Sequence, residues 1–297
     1  MNKVIVILGP TCVGKTKLSV ELAKKFDGEV INADSTQIFK NLNIATAKIT
    51  EEEKEGIIHH LFDIREMDED YTVFEYQKDV RRLIEDIKSR GKTPILCGGT
   101  GLYIKAALYN YEFNLETKKG DYSKYSNDEL YEMLLKIDKD TKIHKNNRQR
   151  VERALDSYNE SNIIPGKVKS DELLYDTYFI GLTTDRDYLY ERINNRVDKM
   201  VEAGLLEEAE FVYKSNIRSK AVLTPIGYKE LFPYFEKTEE LNVCLDKIKQ
   251  NSRRYAKRQY TWFNNQMETI WFNVDFNNFD NTVNEVYNYI KEKETIF

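Results

Sequence analysis

The sequence predicts an α/β fold, a parallel sheet flanked by helices and carrying a phosphate-binding loop, interrupted by a smaller all-helical insertion domain. Three observations predict it. The apolar run "VIVIL" leads directly into "GPTCVGKT", which opens an amphipathic helix. Strand-length apolar runs then alternate with helix-length periodic segments over the first hundred residues, the rhythm of a parallel sheet. Across 111–176 that rhythm gives way to polar, Tyr-, Lys- and Asp-rich sequence with helical periodicity.

Val4–Leu8 read as a fully buried strand, and "KLSVELAKKF" as the helix behind the loop. Between them Gly9, Gly14, Lys15 and Thr16 satisfy the spacing G-x-x-x-x-G-K-[ST], and strand–loop–helix is the context that confirms it. The segment Gly9, Pro10, Thr11, Cys12, Val13 and Gly14 is expected to wrap a phosphate-type anion with inward N–H groups at the positive end of the helix dipole. Lys15 adds a point charge, and the Thr16 hydroxyl suits an Mg²⁺ ligand. Further on, 28–34 reads as a second strand, 72–91 as a helix closed by Gly91, and 93–99 as a third strand. The insertion carries helical periodicity at 126–138 and 148–160, then a turn at "IIPGK". A return strand at 177–184, a long helix at 186–214 interrupted near Gly204, a last strand at 269–275 and a closing helix at 281–292 complete the chain. Residues 1–110 and 177–297 are therefore expected to form the core, and 111–176 the insertion.

Composition narrows the class. No apolar run reaches transmembrane length, and the early one is read as a strand rather than a signal peptide. Cys12, Cys97 and Cys244 are too few and too scattered for a disulfide framework or a zinc site. A cytoplasmic monomer that binds no membrane is expected. The net charge of −5 argues against indiscriminate polyanion binding, yet "KIHKNNRQRVER" and "KQNSRRYAKRQ" each carry five Lys or Arg residues. Such strips suit a specific nucleic-acid partner, and from charge alone they suit two solvated helices equally well.

Three strands should end on one sheet edge, where α/β proteins bind ligands. The first delivers the loop, the second ends at Asp34 followed by Ser35, Thr36 and Gln37, and the third ends in "GGTG" with Thr100. No acid follows the third strand, which argues against nucleotide hydrolysis. Asp34 reads equally well as a helix N-cap or a catalytic group. Thr100 reads as a turn hydroxyl or a ligand contact, and the shared edge favours function for both. His59 and His60 are adjacent, so they cannot share a face and read as packing or hydrogen-bonding residues.

Eight segments in order, "GPTCVGKT", "NADSTQIF", "HHLFDI", "GGTGLYI", "RQRVERAL", "RINNRVDKM", "IGYKEL" and "RRYAKRQYTWF", resemble those of bacterial tRNA dimethylallyltransferases. The resemblance implies transfer of a dimethylallyl group from dimethylallyl diphosphate to the exocyclic amine of the adenosine 3′ of the anticodon, in tRNAs reading codons that begin with U. The diphosphate leaves intact. It implies Asp34 as the base, Thr100 as a catalytic hydroxyl that bonds the bridging oxygen or holds the diphosphate, and Ser35, Thr36 and Gln37 as contacts to the extruded adenosine. Gln149, Arg150, Val151, Glu152 and Arg153 match a segment that grips the anticodon loop. Lys257 and Arg258 fit a phosphate-backbone contact. Arg186, Arg192 and Arg196 match arginines of which one or two are expected at the diphosphate, Arg196 foremost. This chain departs from the family at Thr36 and Phe39, often Met and Tyr, and at Lys145 and Asn147, often Pro and Asp.

Three other functions are compatible with parts of this pattern. A kinase on the same fold would consume ATP, an adenylate dimethylallyltransferase would not need the basic strips, and an RNA-binding GTPase would need an N-K-x-D motif that is missing.

Overall fold

The computed structural model describes residues 3–111, 120–161 and 172–295. Its strands are β1 (Val4–Leu8), β2 (Gly28–Asn32), β3 (His59–His60), β4 (Thr93–Cys97), β5 (Thr177–Thr183) and β6 (Ile270–Asn273). They pair in parallel as one sheet in the order β3-β2-β4-β1-β5-β6. The register runs Ile5↔Ile95 and Val30↔Ile95, so β1, β4 and β2 end together. All five residues of β1 are buried, as a central strand covered on both faces requires.

The helices are α1 (Lys15–Phe26), α2 (Glu51–Lys54), α3 (Val73–Ser89), α4 (Gly101–Leu108), α5 (Asn127–Ile137), α6 (Arg148–Ser161), α7 (Arg186–Glu202), α8 (Leu205–Lys214), α9 (Lys220–Leu223), α10 (Phe232–Phe235), α11 (Leu241–Gln266) and α12 (Phe279–Thr295). Local chemistry sets many of their ends. Thr72 and Glu75 form a capping box at the start of α3, and Gly91, at φ 75°, follows its end. Asp185 caps α7 through the N–H groups of Asp187 and Tyr188. The expected break at Gly204 is real: at φ 100° this residue separates α7 from α8.

The chain divides into two compact units, Met1–Leu108 with Leu173–Phe297, and Tyr109–Glu172. In the smaller unit α5 and α6 pack Leu130 and Leu134 against Val151, Ala154 and Leu155. The expected turn at 163–167 lies outside the described residues. No helix among the described residues is long and apolar enough to cross a membrane.

Strand boundaries depart from expectation, the third strand ending at Cys97 rather than Gly99. The second strand ends at Asn32, two residues early, because the Asn32 side chain bonds the N–H and C=O of Asp34 and turns the chain away. The pair His59–His60 adds a parallel edge strand, with His60 Nε2 2.8 Å from Glu29 and His59 Nδ1 2.9 Å from Ile57 O. The basic strip at 249–259 lies within α11, a helix of 26 residues.

Glu29 is the acid that anchors this edge. Its side chain is 1% exposed and takes hydrogen bonds from Arg90 and His60, with Lys92 at 3.5 Å. Arg90 holds its carboxyl below the ordinary 4.5, down to about 2, against the opposing effect of burial. A depressed carboxylate contributes stability above its unfolded pKa and loses it as pH falls through the folded one. Glu29→Gln should therefore cost about 2 kcal/mol at pH 7. In urea unfolding the gap between wild type and variant should shrink as pH falls from 4.5 to about 2. A gap that stays constant over that range would contradict the ion-pair account.

Candidate active site

The phosphate loop departs from regular backbone at three positions: Gly9 at φ 132°, Cys12 at 68° and Gly14 at 88°. A Cβ on Gly9 would lie 2.6 Å from Leu182 O, and one on Gly14 2.7 Å from the Phe279 ring. Both glycines are thus fixed by conformation and by contact. Gly14 begins α1, whose unpaired N–H groups and dipole face the loop.

Around the loop, charge gathers from two helices. Lys15 Nζ donates to Pro10 O at 2.6 Å. Burial pushes the Lys15 ammonium below its ordinary pKa, with Cys97 and Asp34 opposing. From α7, Arg192 Nε donates to Cys12 O at 3.1 Å and packs 3.8 Å over the Phe276 ring. Arg196 donates to Thr11 Oγ1 at 2.9 Å. Arg186 instead bonds Tyr190 at the surface. Of the three expected arginines, Arg192 and Arg196 therefore reach the loop and Arg186 does not. The i, i+4 spacing of the first two was the signal, since it puts them on one helix face.

The N–H of Thr11 is also taken. It donates to Gln259 Oε1 at 3.1 Å, so Thr11 faces the site with its hydroxyl rather than as an open N–H. Thr16 lies on the same cavity. No group of three or more His, Cys, Asp or Glu side chains among the described residues is arranged to hold a metal. The Thr16 hydroxyl is a hard oxygen donor, the kind of ligand that Mg²⁺ takes.

Asp34 stands two residues past the end of β2, on the cavity that the loop also lines. No helix follows it, which removes the N-cap reading; its Oδ1 instead takes the N–H of Thr36 at 3.0 Å and the Thr36 hydroxyl at 2.7 Å, capping a turn. Oδ2 has no hydrogen-bond partner among the described residues. Thr100, just before α4, accepts the Ser35 N–H at 3.0 Å and lies 3.3 Å from Ser35 Oγ. Gln37 donates to Thr46 O and Ala47 O, which fixes its amide against the next loop.

One cavity of about 980 Å³ joins Lys15, Thr16, Arg192 and Arg196 to Asp34, Gln37, Thr100 and Arg258. Sequence reasoning missed three residues around it. Tyr255 is half-buried beside Thr100 and Gln259, and desolvation, then the Asp34 charge, raises its phenol. Gln259 is described below. Glu208 accepts the N–H groups of Asn43, Ile44 and Ala45 and the Tyr228 hydroxyl, and so holds the loop on which Gln37 rests. Nothing local marked it among the acids of its helix.

In the smaller unit Gln149, Arg150 and Arg153 are exposed on α6, while Val151 is fully buried. Val151 is thus a core residue, not a surface contact: an apolar side chain on the inner face of a two-helix pair has no path to a partner. Glu152 is paired with Arg148 at 2.6 Å. Lys145 pairs with Asp128, and Asn147 Oδ1 lies 3.4 Å from the Arg150 N–H, so both departures are accommodated. Lys257 and Arg258 are exposed on α11.

A phosphate-loop backbone and a carboxylate and a hydroxyl on neighbouring strand ends open to one cavity, the arrangement of a P-loop α/β enzyme. The family model described as IPP transferase matches residues 37–266, and the chain belongs to that family. It is 47% identical to the tRNA dimethylallyltransferase of Anoxybacillus flavithermus, over 98% of this chain and 97% of that protein. Its fold is similar to the tRNA isopentenylpyrophosphate transferase of Staphylococcus epidermidis, with TM-score 0.75, 40% identity, and coverage of 98% and 99%. It is also similar to a eukaryotic dimethylallyltransferase acting on tRNA, with TM-score 0.81, 33% identity, and coverage of 92% of this chain and 74% of that one.

The arginine geometry gives a direct test. Arg192→Ala and Arg196→Ala should each weaken binding of inorganic diphosphate about tenfold, the worth of one charge-assisted hydrogen bond. Arg186→Ala should leave it unchanged. Titration calorimetry reads all three, and equal losses would contradict the separation.

Proposed function

We propose that this enzyme transfers a dimethylallyl group from dimethylallyl diphosphate to the exocyclic amine of the adenosine 3′ of the anticodon, in tRNAs reading codons that begin with U. The observation that carries the reading is the single cavity shared by the phosphate loop and the Asp34–Thr100 pair. The family membership supports the same reaction.

Each part of the site then has a task. The loop N–H groups, Lys15, Arg192 and Arg196 receive the diphosphate and stabilise the charge that gathers on it as the allylic C–O bond breaks. Thr16 would hold Mg²⁺, which supplies further neutralisation of the leaving group. Thr100 contacts the diphosphate and sets the Ser35 backbone beside the acceptor. The adenine amine is a weak nucleophile because its lone pair is delocalised into the ring. Asp34, through Oδ2, accepts its hydrogen bond and takes the proton as the C–N bond forms. Gln37, Ser35 and Thr36 surround the extruded base. Diphosphate leaves without phosphoryl transfer.

On this proposal the smaller unit binds the anticodon loop through Gln149, Arg150, Glu152 and Arg153, and Lys257 and Arg258 meet the tRNA backbone. The exposure of Gln149, Arg150 and Arg153 supports that assignment.

Asp34→Asn tests the reaction. Asn keeps an acceptor for Thr36 but is a far weaker base, so single-turnover transfer should fall at least about 100-fold. The tRNA dissociation constant should change little. Near wild-type transfer would reduce Asp34 to a turn-capping residue.

A further inference from the structure

Two turns before its end, α11 holds a buried amide that joins the two halves of the reaction site. Gln259 is 5% exposed. Its Oε1 accepts the Thr11 N–H of the phosphate loop at 3.1 Å, and its Nε2 donates to Gly99 O, in the turn that carries Thr100, at 3.0 Å. A Cβ on Gly99 would collide with that same nitrogen. The ladder bond from Gly98 N to Ile7 O joins the ends of β1 and β4, and one residue further along the chain from β4 the link passes through the Gln259 side chain. Gln259 thus bridges the phosphate loop and the β4 turn.

An amide is suited to this position. It offers one donor and one acceptor without charge, so it can bridge an N–H and a C=O at once. A carboxylate would meet the Gly99 carbonyl with repulsion, and an aliphatic chain would leave two buried backbone groups unpaired.

We propose that Gln259 is a positioning residue that fixes the distance between the phosphate loop, where the diphosphate leaves, and the β4 turn, whose Thr100 sets the acceptor side at Ser35 and Asp34. The inference rests on the prenyl-transfer reading above. When the allylic C–O bond ionises, the cation is captured by whichever nucleophile is in place. With the clamp intact, the adenine nitrogen forms the C–N bond and its proton goes to Asp34. With the clamp loosened, water forms a C–O bond instead, releasing dimethylallyl alcohol, diphosphate and a proton to solvent. A displacement near 1 Å slows a positioned reaction by about 100-fold. The clamp therefore controls the partition between transfer and hydrolysis as well as the rate.

The test follows both products. Wild type, labelled dimethylallyl diphosphate and tRNA first establish transfer; no prenylated tRNA in that arm refutes the underlying reading rather than the clamp. Gln259→Leu should then transfer about 10- to 100-fold more slowly, yield more alcohol per prenylated tRNA, and keep its tRNA affinity. Gly99→Ala should reproduce the effect, and the double variant should be no worse than either single one. Gln259→Glu guards against misfolding of the leucine variant. It keeps the acceptor for Thr11 and regains the donor only when protonated, so its deficit relative to wild type should narrow as pH falls. A merely structural role predicts a lower melting temperature with an unchanged alcohol-to-transfer ratio and a pH-independent deficit. Either result overturns the proposal.

Discussion

On the proposed reading, everything at this site depends on holding a multiply charged anion at the edge of a parallel sheet. The register of β2, β4 and β1 brings three strand ends to one edge. The backbone at that edge supplies N–H groups and a helix N-terminus, so attraction for the anion is present before any side chain is added. Lys15, Arg192 and Arg196 deepen it, and the partial desolvation of Lys15 strengthens its pull on an incoming charge. The acceptor side needs the opposite character, and Asp34 supplies it one strand away.

Placing a carboxylate near an anion site is electrostatically unfavourable, and the structure manages the conflict by distribution. Asp34 spends one oxygen on Thr36 and keeps the other for a partner. Lys15 lies close enough to sense its charge. Outside this pair, rigid supports take over: Gln259 ties the loop to the β4 turn, and Glu208 fixes the backbone beneath Gln37. These supports contribute geometry rather than chemistry, as pre-organised reactions require.

Local signals made the fold and half of the site readable from sequence. The phosphate loop is a contiguous motif with fixed spacing, and Asp34 and Thr100 follow from where strands end. The break at Gly204 was readable because one residue controls it. Supports formed over long separations were not. Gln259 meets partners 248 and 160 residues away, and a glutamine within a basic strip shows nothing of them. The full extent of the helix around it was hidden for a related reason: its buried stripe is Cys244, Ile248, Ala256, Gln259 and Phe263, too small and too polar to stand out. Val151 fell on the wrong side of the account because a motif match covers consecutive residues, whereas a helix buries one in every three or four.

The central claim is that the anion cradle serves a departing diphosphate rather than a phosphoryl donor. Dimethylallyl diphosphate labelled in both its carbon chain and its phosphates, incubated with the enzyme and either tRNA or AMP, tests it most directly. The account predicts carbon label in tRNA, none in AMP, and phosphate label recovered as intact diphosphate in equal amount. Carbon label in AMP, or phosphate label transferred to either acceptor, would contradict it.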